Sequence, residues 1–261
     1  MRHGVGLGQA FRTLTVFPAP GKDAAKVSSQ LFFYPFVGLA VGAIGSLILH
    51  CCTRFMSIDA IPSLVLGVLW TCWMAFATRG FHLDGLGDTA DGFGGGWTRE
   101  RRLEIMKDSR TGSFGVIAIC LCLLLKSVCA AGAVRNGRLP VLLWSAIVAR
   151  MCVVLMCSCC SYAKESGLSY DLVRGAGFSH SCVALIQTAG YGAALYFLLP
   201  LIPEYRTDVA GLVVMMASAL LCTVVLGLVS KRKIGGITGD VLGACCEISE
   251  SAALLAAVLH V

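Results

Sequence analysis

Charge is what this chain has least of. Only 14% of its 261 residues are Asp, Glu, Lys or Arg, against about 25% in an average soluble domain. Hydrophobic residues make up 57%. So few charges cannot cover a surface that meets water on every side, which excludes a soluble globular fold. The first thirty residues lack the apolar core and small-residue cleavage site of a secretory leader, so no cleaved signal peptide is expected. A nucleic-acid-binding stripe is also missing. The net charge of +6 comes from bases scattered in short stretches between apolar runs, the pattern of a membrane protein. Nor is there a disulfide or zinc framework. Most of the 14 cysteines sit within apolar runs, and Cys157 and Cys160, spaced as CxxC, have no second polar pair beside them. Such cysteines act as small hydrophobes.

Long apolar runs are present instead. Seven of them, at 31–52, 61–79, 113–134, 139–160, 182–202, 209–230 and 240–260, approach the ~20 residues that a helix needs to cross a bilayer core. The pattern predicts an all-α, polytopic integral membrane helix bundle of about seven transmembrane segments. One membrane-embedded catalytic domain spans 1–261, with 1–30 as a cytoplasmic arm and 80–112 as a long cytoplasmic catalytic loop. The seventh segment carries Asp240, Glu247 and Glu250, which leaves open whether it crosses or re-enters. With a cytoplasmic N-terminus and seven crossings, 15 Lys and Arg fall in inside loops and 4 in outside loops. That asymmetry favours this orientation.

Nine of the 15 acidic residues gather in two places, the 80–112 stretch and the last segment. Within His82-Leu-Asp-Gly-Leu-Gly-Asp-Thr-Ala-Asp-Gly92, Asp84 and Asp88 are spaced i,i+4, and Asp88 and Asp91 i,i+3. On a helix they would share one face. Three adjacent carboxylates repel, and a hard divalent cation reverses that sign, since Mg²⁺ combines carboxylate with substrate phosphate oxygens. The spacing does not fit an EF-hand calcium loop. Gly94-Gly95-Gly96 reads as a hinge, and residues 98–108 as a short helix with Thr98 as N-cap. There Lys107 and Arg110 could grip phosphate while Asp108 joins a metal or acts as a base. Lys231-Arg232-Lys233 reads as an anchor, followed by a glycine-rich turn whose amides could face an anion. Asp240 and Glu247, seven residues apart, would share a helix face. Glu247 and Glu250 should face the bundle interior, and mid-segment Lys126 and Arg150 call for a carboxylate or phosphate counterion.

These stretches resemble the adenosylcobinamide-GDP ribazoletransferase, or cobalamin synthase, family. The resemblance rests on Leu14-Thr-Val-Phe-Pro-Ala-Pro20, on the His82–Gly92 stretch and on Glu104-Ile-Met-Lys-Asp-Ser-Arg-Thr-Gly-Ser-Phe-Gly115. It also rests on Gly235-Gly-Ile-Thr-Gly-Asp-Val-Leu-Gly-Ala244 with Glu247 and Glu250. Gly87 stands where alanine is common in that family. The resemblance implies a Mg²⁺-dependent enzyme of the plasma (inner) membrane, with the N-terminus and active-site loops cytoplasmic. It would join adenosylcobinamide-GDP to α-ribazole or its 5′-phosphate and release GMP. Asp84, Asp88 and Asp91 would hold Mg²⁺, and Lys107, Arg110, Lys126 and Arg150 the phosphates. Asp108, Asp240, Glu247 and His82 would serve a second metal, substrate hydroxyls or proton transfer. Membrane lipid is an expected partner, nucleic acid is not, and a homo-oligomer is left open. A CDP-alcohol phosphotransferase is the nearest rival, but Asp91-Gly92 is followed by Phe93-Gly94 rather than Ala-Arg. An ion or metabolite transporter would show fewer loop acids and a stronger inverted repeat.

Overall fold

An apolar chain in lipid must satisfy its backbone internally, and a helix does so within one segment. The computed structural model, which describes residues 3–55, 58–167, 169–198 and 208–260, follows that rule. Among the described residues, seven helices are long and apolar enough to cross a membrane. They are α2 (Tyr34–Thr53, led by a 3-10 turn Val27–Phe33), α3 (Ala60–Ala77), α6 (Ser113–Arg135), α7 (Leu139–Cys159), α9 (Phe178–Leu198), α10 (Val209–Ile234) and α11 (Gly239–Leu259). The seventh is a continuous helix despite its three acids. Four shorter helices, α1 (His3–Leu14), α4 (Phe81–Gly95), α5 (Arg99–Ile105) and α8 (Tyr170–Arg174), complete the chain. No strand forms among the described residues beyond an isolated parallel bridge between Tyr162 and Ile237. The protein is an all-α, multi-pass membrane bundle. Arg2, Arg206 and residues 199–202 of the expected fifth segment lie outside the described residues.

Two helices, α7 and α11, are enclosed on most sides, while α6, α9 and α10 turn most of their residues outward. Small residues set the spacing, as lipid-embedded helices require. A Cβ on Gly67 of α3 would collide with the Ser127 carbonyl of α6 and stand 2.7 Å from the Ala131 amide nitrogen. All 14 cysteines are free thiols.

The 80–112 stretch is not the loop its composition suggests. It folds as α4 and α5, and α4 runs through Gly94 and Gly95 where a hinge was expected, with Gly96 as its C-cap. Glycine weakens a helix by about 1 kcal/mol per residue relative to alanine, yet here it permits contact that compensates. A Cβ on Gly85 would lie 2.7 Å from the Asp240 carbonyl, so α4 packs directly on the first turn of α11. The chain enters α4 through consecutive left-handed residues, Arg79 (φ 56°) and Gly80 (φ 66°). Few non-glycine residues adopt that conformation. Short helix α5 begins as expected, with the Thr98 side chain accepting from the Arg101 amide.

Side-chain staples hold this end of the bundle together. Arg99 donates to the carbonyls of Ile234 (2.9 Å) and Ala163 (2.6 Å), and Arg102 to that of Lys233 (2.9 Å). Lys233 in turn donates to the Phe93 carbonyl at 2.8 Å. These bases satisfy carbonyls at and beyond the C-termini of α10 and α4 that have no intrahelical partner. The acidic stretch and the basic turn therefore occupy the same end of the molecule.

Candidate active site

The face of α4 delivers the acids. Asp84 is exposed, Asp88 half-buried and Asp91 buried. Burial, together with the charges of Asp84, Asp240 and Asp91, pushes the Asp88 carboxyl up to about 6, while Lys164 pulls against them. Asp240, in the first turn of α11, is thus drawn into the acidic group. It accepts from the Thr238 hydroxyl at 3.1 Å, and that hydroxyl also caps α11 by accepting from the Val241 amide.

Asp91 has another task. Its two oxygens accept from the amides of Gly112 (2.7 Å) and Gly115 (2.9 Å), closing the N-terminus of α6. Those are orphan donors at the positive end of a helix dipole. The expected third metal ligand is therefore a helix cap, held too close to α6 for side chains at either glycine. A Cβ on Gly115 would collide with Asp91 Oδ2, and one on Gly112 would approach its Oδ1.

Basic residues flank the acids on two sides. On one, a cavity of about 390 Å³ is lined by Lys107, Tyr162, Lys164, Ser169 and Asp240, among others. On the other, a cavity of about 710 Å³ is lined by Arg12, Arg79 and Asp84. Phe81 borders both. Lys107 thus lines a cavity together with Asp240. Lys164, Arg12 and Arg79 were counted only as loop charges, because no motif surrounds them.

The remaining expectations separate. Arg110 is exposed and paired to Asp108 through Nε (3.1 Å) and Nη2 (2.7 Å). That contact holds the Asp108 carboxyl down at about 2, which makes it a poor base near neutrality. Arg110 and Asp108 neutralise each other rather than reach the acids. His82 is buried, and desolvation with the nearby charges of Arg150 and Lys126 keeps its pKa well below the usual histidine value.

Lys126 and Arg150 were expected at phosphate and Glu247 at a second metal, a substrate hydroxyl or a proton, but the structure corrects this, pairing each with an opposite charge of the bundle itself. Lys126 Nζ lies 2.6 Å from Glu247 and 3.3 Å from Glu250, and Arg150 lies 3.2 Å from Glu250. All four are no more than 5% exposed. Two cations and two carboxylates thus pair inside the bundle, leaving Arg150 Nε and Glu250 Oε1 without a hydrogen-bond partner. Of the two counterions the sequence allowed, the carboxylates are the ones present.

Among the described residues, no three His, Cys, Asp or Glu side chains form a ready-made metal cage. A Mg²⁺ ion does not need one, because it binds through one or two carboxylates plus water and phosphate. Asp84 and Asp88, with Asp240 nearby, supply oxygen donors of the right hardness. Burial first, and then the repulsion of its neighbours, raises the Asp88 carboxyl, and a divalent charge would offset both. The donor set fits.

Comparison with known proteins points the same way. The pattern of the family described as cobalamin-5-phosphate synthase matches residues 6–258. A protein named adenosylcobinamide-GDP ribazoletransferase from Chlorobium chlorochromatii (strain CaD3) is 38% identical over 97% of this chain and 96% of its own. Its namesake from Chlorobium phaeobacteroides (strain BS1) is 40% identical over 94% of each chain. That of Syntrophobacter fumaroxidans (strain DSM 10017 / MPOB) is 38% identical over 96% of each. No solved structure matches the chain. These relatives are named as transferases, which sets the transporter and CDP-alcohol readings aside. With the match running almost from end to end, the chain belongs to the cobalamin-5-phosphate synthase family.

Proposed function

We propose that the protein joins adenosylcobinamide-GDP to α-ribazole, or its 5′-phosphate, in a Mg²⁺-dependent reaction at the α4 end of the bundle. That end would face the cytoplasm, with the bundle in the plasma membrane, as the excess of Lys and Arg there favours. The ribose hydroxyl attacks the phosphorus that carries the corrinoid, the bond to the GMP oxygen breaks, and GMP leaves with the electron pair.

The observation that carries this reading is the gathering of Asp84, Asp88 and Asp240 between two cavities lined by bases, with Asp240 bordering one and Asp84 the other. Asp84 and Asp88 would hold the ion, and Mg²⁺ when bound would neutralise charge on the diphosphate. Lys107 and Lys164 would hold phosphate oxygens from one side and Arg79 from the other, where Arg12 is already paired to Asp23 at 2.6 Å and supports Arg79 through its carbonyl. Such fixed charges act where negative charge grows during transfer. Asp240 would orient the attacking hydroxyl, and Asp91 would keep α4 in register with α6.

The test is GMP release by purified protein given both substrates with Mg²⁺ and again with EDTA. Product only with the metal, and its loss in Asp88→Asn, is expected. Undiminished turnover in EDTA, or full activity of Asp88→Asn, would remove the acidic group from the chemistry.

A further inference from the structure

Behind Phe81 lies a third, smaller cavity of about 220 Å³, walled by α1, the 27–33 turn, α2, α4, α7 and α11. Leu14, Val153 and Leu242 line it with carbon. Six polar residues, Gln9, Thr13, Gln30, Tyr34, His82 and Ser169, also border it, and of these Gln30, Tyr34 and His82 are no more than 3% exposed. Buried polar groups normally have partners. Here the Tyr34 hydroxyl reaches Gln30 only at 3.4 Å, and His82 Nδ1 has no hydrogen-bond partner. None of this is used by the ion-binding face of α4.

The chamber is not isolated from the chemistry. It shares Phe81, Ser169 and Gly239 with the cavity that holds Lys107, Lys164 and Asp240. A ligand lying across that shared wall meets carbon at one end and charge at the other. The chamber volume is below the roughly 300 Å³ at which pockets begin to bury drug-sized ligands. It suits one flat ring system rather than a whole nucleotide.

We propose that this chamber holds the aromatic base of the nucleoside acceptor, a benzimidazole-type heterocycle with one acceptor ring nitrogen, which takes a hydrogen bond from His82 Nδ1. The attached ribose then projects past Phe81 towards Asp240. The assignment rests on the proposed transfer reaction and adds which substrate occupies which space. A benzimidazole edge is apolar except at one nitrogen. A neutral imidazole carries one N–H donor, so in one tautomer His82 supplies the matching group. His82 is a specificity residue on this reading.

The test uses full-length protein in detergent, with α-ribazole and adenosylcobinamide-GDP each titrated for KM, and α-ribazole also for equilibrium binding. Val153→Phe fills the chamber from α7, and His82→Phe removes the donor while keeping a flat ring. Each should raise the Kd and KM for α-ribazole at least about tenfold, with the KM for adenosylcobinamide-GDP within about twofold. A riboside with a smaller imidazole base should lose less affinity in Val153→Phe than α-ribazole does, a reversal that misfolding would not produce. Unchanged α-ribazole affinity in both variants overturns the assignment, as does a rise confined to adenosylcobinamide-GDP. Should the unmodified protein bind α-ribazole, with binding weakened by Val153→Phe, yet release no GMP, the chamber stands and the transfer reaction falls.

Discussion

Lys126 Nζ lies 2.6 Å from Glu247 Oε2 at the middle of the bundle, across 121 residues of sequence. Breaking a buried pair from one side leaves a stranded charge, at a cost of about 3–5 kcal/mol. Lys126→Met should therefore destabilise the protein strongly, seen as a lower thermal midpoint in detergent. Lys126→Met with Glu247→Gln should recover most of the loss, because Glu250 keeps Arg150. A single variant with normal stability and only a raised substrate KM would instead return Lys126 to the phosphate role.

Asp91 and Asp84 should behave differently despite sharing α4. Asp91→Ala removes the cap on α6 and should cost about 1–2 kcal/mol of stability, with the Mg²⁺ concentration for half-maximal activity shifted little. Asp84→Asn should leave stability near normal and raise that Mg²⁺ requirement by at least about tenfold. Parallel thermal melts and Mg²⁺ titrations separate the two. A matching Mg²⁺ shift in both variants would make Asp91 a ligand after all.

The Asp88 carboxyl, raised from 3.8 to about 6, gives a signed pH dependence. In metal-free protein the folded state holds this proton more tightly than the unfolded state. Its contribution to stability therefore declines as pH rises from about 4 to about 6. Asp88→Asn should flatten that decline and raise the midpoint at pH 7–8 while lowering turnover by about 10²-fold or more. In the unmodified enzyme, activity at limiting Mg²⁺ should fall as pH drops through about 6, and added Mg²⁺ should move that fall to lower pH. An acid limb insensitive to Mg²⁺ would contradict this.

The bases should rank by which space they line. Lys107→Ala and Lys164→Ala border the cavity with Asp240, and each should raise the KM for adenosylcobinamide-GDP about tenfold. Arg110→Ala only releases Asp108 at an exposed position, and a change of less than about threefold is expected. Steady-state kinetics on the three variants decide the order.

The seven spanning helices were legible because length and hydropathy determine them almost alone. The helical form of 81–95 was hidden by its glycines. Gly85 counts against a helix locally, yet it is what lets α4 touch Asp240. Lys126 and Arg150 plainly needed a counterion, but spacing along α6 and α7 cannot say that the partners wait more than ninety residues later on α11. The cap at Asp91 was invisible for the same reason, since it depends on where α6 begins in space. Lys164 had no surrounding pattern, and it is the bridge of Tyr162 to Ile237, with the Arg99 bond to the Ala163 carbonyl, that carries its segment to the site. Spacing placed the acids on one helix; tertiary contact then divided them into ligands and a cap.

The guanidinium groups of Arg99 and Arg102 and the ammonium of Lys233 close the end of α10 over the helices that bear the acids. Residues of this kind ordinarily act as topogenic signals, fixing which way a polytopic chain is threaded. Here the signal and the scaffold of the catalytic end are the same side chains. Substitutions made to invert the threading would therefore unlatch the reaction centre too, whichever compartment it faces. On the proposed orientation and site, insertion and activity are expected to change together in variants of these three residues.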